Sequence, residues 1–132
     1  SDTIKSCEEK FQGLAAEFKH YFKKNKIPQG YTPVSFRKAL ISNNSSPGGH
    51  TVYQFQFSDG IASVSVFIEQ ITAQSSEQKG YAENGVNGVL KLGPVSVAGK
   101  TIGNQQITVL GAIPVSSAMH FLDAVKRQEP EL

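Results

Sequence analysis

Tryptophan is absent from this sequence of 132 residues, and cysteine and methionine occur once each. The lone Cys7 rules out an intramolecular disulfide and a cysteine-based metal cluster. No apolar run reaches the roughly 18 residues that span a bilayer as a helix. The apolar core of a signal peptide is not found either; since the sequence opens at Ser1 without Met, export is not decided from its start. A charge excess is missing as well. Thirteen basic against eleven acidic residues leave a net charge of +2, too balanced for a surface dedicated to nucleic acid. The one dense basic run, Lys19, Lys23, Lys24 and Lys26 with His20 among them, reads as a solvated helix end. What is present is a 39% hydrophobic complement with eight Phe and four Tyr. That supplies a single compact core and argues against disorder over most of the chain. One domain over residues 1–132 is expected.

Within an N-terminal segment of residues 1–26, residues 6–24 carry a helical pattern. Phe11, Leu14, Ala15, Phe18 and Phe22 recur at the three-to-four spacing of one apolar stripe. Glu8 and Glu9 near the start and Lys23 and Lys24 near the end complement the helix dipole. Pro28-Gln29-Gly30 then makes a turn. From Thr32 the period changes to two, with Val34, Phe36 and Leu40 alternating with Arg37 and serines. Residues 42–50 (SNNSSPGGH) read as a loop. Next, Tyr53, Phe55 and Phe57 point to one side of a first run, and Ala62, Val64, Val66 and Ile68 share a side of a second, with Ser58-Asp59-Gly60 between; pairing the two rows would make one packed sheet face. Two alternating runs around Asp-Gly predict a β-hairpin. Residues 73–88 read as a long polar loop. Short strands are expected near 89–92, 94–98 and 106–111, with a turn at Ala98-Gly99-Lys100. Pro114 opens a last helix, with Val115, Ala118, Met119, Leu122 and Val125 on one face and Lys126 and Arg127 closing it. The order predicts an α+β domain: an antiparallel sheet of about five or six strands with N- and C-terminal helices packed on it.

Catalytic chemistry finds no support. His20, His50 and His120 form no metal-ligand spacing, although His50 in its Gly-flanked stretch is the histidine best placed for a site. Cys7 precedes two glutamates, which disfavour a thiolate. There is no G-x-S-x-G elbow, Walker loop or dinucleotide fingerprint. No cofactor and no metal are expected, and the chain reads as a non-enzymatic binding or regulatory module. An open strand edge can accept an extended peptide. Arg37 and Lys38, adjacent on the first strand, present charge to an acidic partner or guard an edge against aggregation.

Four stretches, taken together, resemble a known family. They are Ile27-Pro28-Gln29-Gly30-Tyr31 leading into Val34-Ser35-Phe36-Arg37, the run from Phe57 through Ser58-Asp59-Gly60 to Phe67, Gln106–Gly111, and Ala112-Ile113-Pro114 opening the final helix. In this order they are similar to the C-terminal domain of the MucB/RseB family, periplasmic regulators of the envelope-stress sigma factor. The resemblance covers about 100 residues, 27–128. It implies a periplasmic location and a partner: the periplasmic part of a membrane-anchored anti-sigma factor, shielded from the protease that starts the stress response. It links release to lipopolysaccharide or mislocalised lipoproteins. Full-length members also carry a larger N-terminal domain similar to lipoprotein carriers, which these 132 residues do not include. Lys26 stands where the family usually has Trp, and residues 1–25 lie outside the resemblance. The sequence is thus expected to be a stand-alone relative or a piece of an unusual member.

The candidate partner-binding residues are Phe36, Arg37, Lys38 and Phe67. The competing expectation is a small periplasmic carrier holding a lipid or acyl chain between sheet and helix. Nucleic acid is not an expected partner.

Overall fold

The computed structural model describes residues 13–43, 46–70 and 87–128. In chain order these form helix α1 (residues 13–21), a short 3-10 turn Lys24–Lys26, and strands β1 Thr32–Asn43, β2 Ser46–Ser58, β3 Ser63–Gln70, β4 Gly88–Leu92, β5 Val95–Ile102 and β6 Gln105–Gly111. Helix α2, Val115–Ala124, follows. The strands make one six-stranded sheet in the order β1-β2-β3-β6-β5-β4, every pair antiparallel.

The β2–β3 hairpin lies inside the sheet, between the outer strand β1 and β6. Its registers set Phe55 opposite Val66 and Phe57 opposite Val64, so the aromatic and β-branched rows share one face. Ser58 and Ser63 close the ladder around a four-residue loop. One oxygen of Asp59 accepts the backbone N–H groups of Ile61 at 2.9 Å and Ala62 at 2.8 Å, and Gly60 turns the chain at φ 95°. The Ala62 and Ile61 N–H groups hold the Asp59 carboxyl below the ordinary carboxylate range. The contribution of this turn is therefore complete above the unfolded value, roughly pH 4, and is lost as pH falls through the folded one. The wild-type chain is expected to lose more stability than Asp59→Asn between about pH 6 and about pH 3. Urea melts across that range should show the two curves converging; parallel curves would remove the carboxylate from the account.

Both helices cover the same face. Tyr21 at the end of α1, Phe22 directly after it, and Ala118, Phe121, Leu122 and Ala124 from α2 close over Phe55, Phe57, Val64, Val66, Ile68, Ile107 and Val109. The helix ends are tied together. Phe22 bridges Val125, the Lys23 N–H donates to the Ala124 carbonyl at 2.7 Å, and the Lys126 N–H donates to the Tyr21 carbonyl at 2.8 Å. Ser96 anchors the approach to α2: its buried hydroxyl donates to the Ile113 carbonyl at 2.6 Å. Gly111 sits so close to β3 that a Cβ there would lie 2.9 Å from the Ser63 carbonyl oxygen.

Several local expectations are corrected. The first helix ends at residue 21, not 24, because the chain leaves it to make the bridge to Val125; the expected residues 6–12 lie outside the described residues. Ala15 is exposed, while Tyr21 takes the buried place on that helix. The stretch read as a loop over 42–50 is mostly strand: Ile41 pairs with His50 and Asn43 with Ser46. The expected turn at Ala98-Gly99-Lys100 is the middle of β5, with Gly99 paired to both Gly88 and Thr108. The reversals fall instead at Gly93 and Gly103, each with positive φ. Val34, expected inward, is 53% exposed, since a bulge between Pro33 and Ser35 shifts the alternation. Met119 faces solvent and Phe121 takes the core position. Helix α2 ends at Ala124, before Lys126 and Arg127. The long loop expected over 73–88 falls almost wholly outside the described residues.

Candidate functional site

β1 is an outer strand of the sheet, and α1 lies inward of it, over β2. The mismatch leaves an open groove of about 420 Å³. Ala16, Glu17, His20 and Tyr21 of α1 form its wall, and Phe36, Lys38 and Tyr53 of β1 and β2 its floor. The floor is rigid through ring packing. Phe36 stacks on Tyr53 at 5.8 Å between centroids and meets the buried Phe55 at 4.8 Å. Tyr21 meets Tyr53 at 5.1 Å, and His20 stands edge-on to Tyr21 at 4.7 Å. Such pairs add about 0.5–1.5 kcal/mol each beyond their buried area.

Polar groups mark both ends of this surface. Burial, and then a hydrogen bond shared with the Tyr53 hydroxyl, push the Tyr21 phenol well above its ordinary value, and the nearby charges of Tyr53 and Glu17 push the same way. Tyr21 is accordingly a neutral hydroxyl throughout the physiological range. The Lys38 ammonium sits 5.7 Å from the centre of the Tyr53 ring, a cation–π contact that holds the side chain over the floor. Leu40 continues the same face of β1 and is 73% exposed. The groove can thus receive an apolar side chain beside a carboxylate.

The four candidate residues are divided between two faces. Phe36 and Lys38 line the groove. Arg37 projects to the opposite face, where it lies across Gln54 from the half-buried Phe67 in one row of the registers Arg37–Gln54 and Gln54–Phe67. Tyr21, Tyr53, His20 and Glu17 are not among the candidate partner-binding residues, although Tyr53 belongs to the aromatic row of the hairpin and His20 to the basic run. Tyr21 had a signal: it falls three residues after Phe18 on the apolar stripe. His50 is a buried strand residue 3.6 Å from Glu69, on the face away from the groove. His120 is exposed on α2. Among the described residues no group of three or more His, Cys, Asp and Glu side chains is placed to hold a metal ion. No described helix is long and apolar enough to cross a membrane.

Fold and groove together define a small sheet-and-helix domain with an accessible outer strand. The family of the MucB/RseB C-terminal domain matches residues 16–126, and the chain belongs to that family. The matched stretch contains the wall and the floor of the groove, from Ala16 of α1 to Tyr53 of β2. Among individual proteins, the sigma-E factor regulatory protein RseB of Salmonella typhimurium is 30% identical over 101 residues, 76% of this chain and 27% of that protein. The chain thus spans about a quarter of the length of that relative. A solved structure described as the complex of Pseudomonas aeruginosa MucA/MucB is 22% identical, with a TM-score of 0.49, over 78% of this chain and 33% of the other.

Proposed function

We propose that this chain is a non-enzymatic interaction domain of the periplasm. It binds the periplasmic region of a membrane-anchored anti-sigma factor and shields it from proteolysis in envelope-stress signalling. The observation that carries the reading is the family membership over residues 16–126, which spans the groove and the outer strand beside it. The carrier alternative has less to stand on: Phe55 and Phe57 fill the space between sheet and helices, and Glu17, His20 and Lys38 share the groove lining.

The test uses the purified chain and the periplasmic region of an anti-sigma factor encoded beside it. Co-elution at about 10 μM and slower cleavage by the cognate protease are expected. Absence of a complex, with cleavage at the unprotected rate, would remove the proposal. Recovery of a co-purifying lipid in native mass spectra would favour the carrier.

A further inference from the structure

We infer that the outer edge of β1 adds an extended segment of the partner as a seventh strand, and that Arg37 and Lys38 select an acidic pair within it. The inference rests on the functional reading above for the identity of the partner, and on the following geometry for the site. Among the described residues no strand pairs with the outer edge of β1. From Ser35 to Ile41 the strand keeps an unbroken register with β2, so its backbone groups on the outer side are regularly spaced. Bulges at Pro33/Ser35 and Ile41/Asn43 bound this stretch and limit an added strand to about five to seven residues.

The side chains then dictate the partner's chemistry. Neighbouring residues of a strand point to opposite faces. Phe36, Lys38 and Leu40 therefore present apolar, basic and apolar groups on the groove face, while Arg37 presents a cation on the other. In an added strand, each residue projects to the same face as the one it lies opposite. An antiparallel segment reading apolar, any residue, acidic, acidic, apolar would meet Leu40, Ala39, Lys38, Arg37 and Phe36 in turn. Its apolar residue beside Phe36 enters the groove against Tyr53 and Tyr21. Its two consecutive carboxylates reach Lys38 on one face and Arg37 on the other. A second copy of this chain fits the edge poorly, because antiparallel self-pairing centred there would set basic side chains against basic ones. The other outer strand, β4, offers five exposed residues with the single cation Lys91, which is engaged with the Pro94 carbonyl and the Ser96 hydroxyl.

The experiment uses fluorescein-labelled peptides holding Leu-Ser-Glu-Glu-Phe, the same with Gln-Gln, and the same with Lys-Lys. The full chain is titrated by anisotropy and, isotope-labelled, by NMR. The Glu-Glu peptide should bind about tenfold or more tightly than the Gln-Gln one, weaken with added salt, and shift the amides of residues 35–40 and of α1. In Arg37→Glu/Lys38→Glu the preference should invert, with Lys-Lys bound best. This charge swap separates recognition from damage to the fold. Equal binding of all three peptides, an unchanged order in the double variant, or shifts centred on β4 would overturn the inference and leave the two cations as guards of an edge. The anti-sigma region is assayed in parallel. If the wild-type chain fails to bind it, the functional reading falls while the peptides still decide the β1 site. If the wild-type chain binds it and the double variant binds equally, the site falls and the functional reading stands.

Discussion

Phe22→Ala is expected to destabilise the chain by about 3–5 kcal/mol, a loss of roughly 10–20 °C in melting temperature. Phe22 is 2% exposed. Its ring meets Phe55 at 4.9 Å and Phe57 at 5.1 Å edge-on, and Phe18 at 5.6 Å in a stack. Truncation would leave a cavity bounded by rings that cannot collapse into it without breaking their contacts with one another. The same residue pins the chain exit from α1 through its bridge to Val125, so backbone relaxation is also blocked. Neighbouring Lys23 is exposed, and Lys23→Ala should stay within about 0.5 kcal/mol. Denaturant midpoints of the two variants measure the contrast. A Phe22→Ala loss below about 1 kcal/mol would mean that α1 is not part of the cooperative core.

Strict alternation made the β2–β3 hairpin legible in the sequence, because Tyr53, Phe55 and Phe57 and then Val64, Val66 and Ile68 leave only one face to bury. The terminal helices were legible for the same reason at the helical period. What escaped lies where local composition and long-range pairing disagree. Residues 46–50 read as loop by their Ser, Pro and Gly content, yet the facing residues of β1 give them a ladder to complete. Gly99 suggested a turn, but it is held between β4 and β6, and a glycine flanked by strands on both sides has its conformation chosen by them. A one-residue bulge at Val34 sends that side chain outward, and no single-sequence pattern announces a bulge.

The groove shows a similar division. Phe36 and Lys38 stood out as an aromatic and a cation on an expected strand, and they do meet in one place. Arg37 and Phe67 stood out on equal grounds but belong to the other face, a separation fixed by strand alternation once the register is known. The wall of the groove depends on how far inward α1 docks. That position follows from Phe22 and Phe18 seating against Phe55 and Phe57, which is a tertiary fact with no local signature.

Helix α2 gives the sharpest contrast between a periodic pattern and a packed surface. Met119 and Phe121 compete for the core, and a helix can turn only one of them fully inward at this position. Phe121 has the place: it is 0% exposed, edge-on to Tyr31 at 5.3 Å and tilted against Phe57 at 5.1 Å, whereas Met119 is 47% exposed. Phe121→Ala should therefore cost about 3–5 kcal/mol and Met119→Ala less than about 1 kcal/mol. A double variant of Phe121 and Phe57 should lose less than the sum, because each truncation already removes the shared contact. Urea unfolding of Phe121→Ala, Phe57→Ala, their double variant and Met119→Ala decides it. If Met119→Ala proves the costlier change, α2 is rotated from the orientation that lets Phe121 reach Tyr31. The Ile27–Tyr31 turn, which carries the chain from α1 to β1, would then lose its link to α2, and with it the support that sets β1 beside the groove.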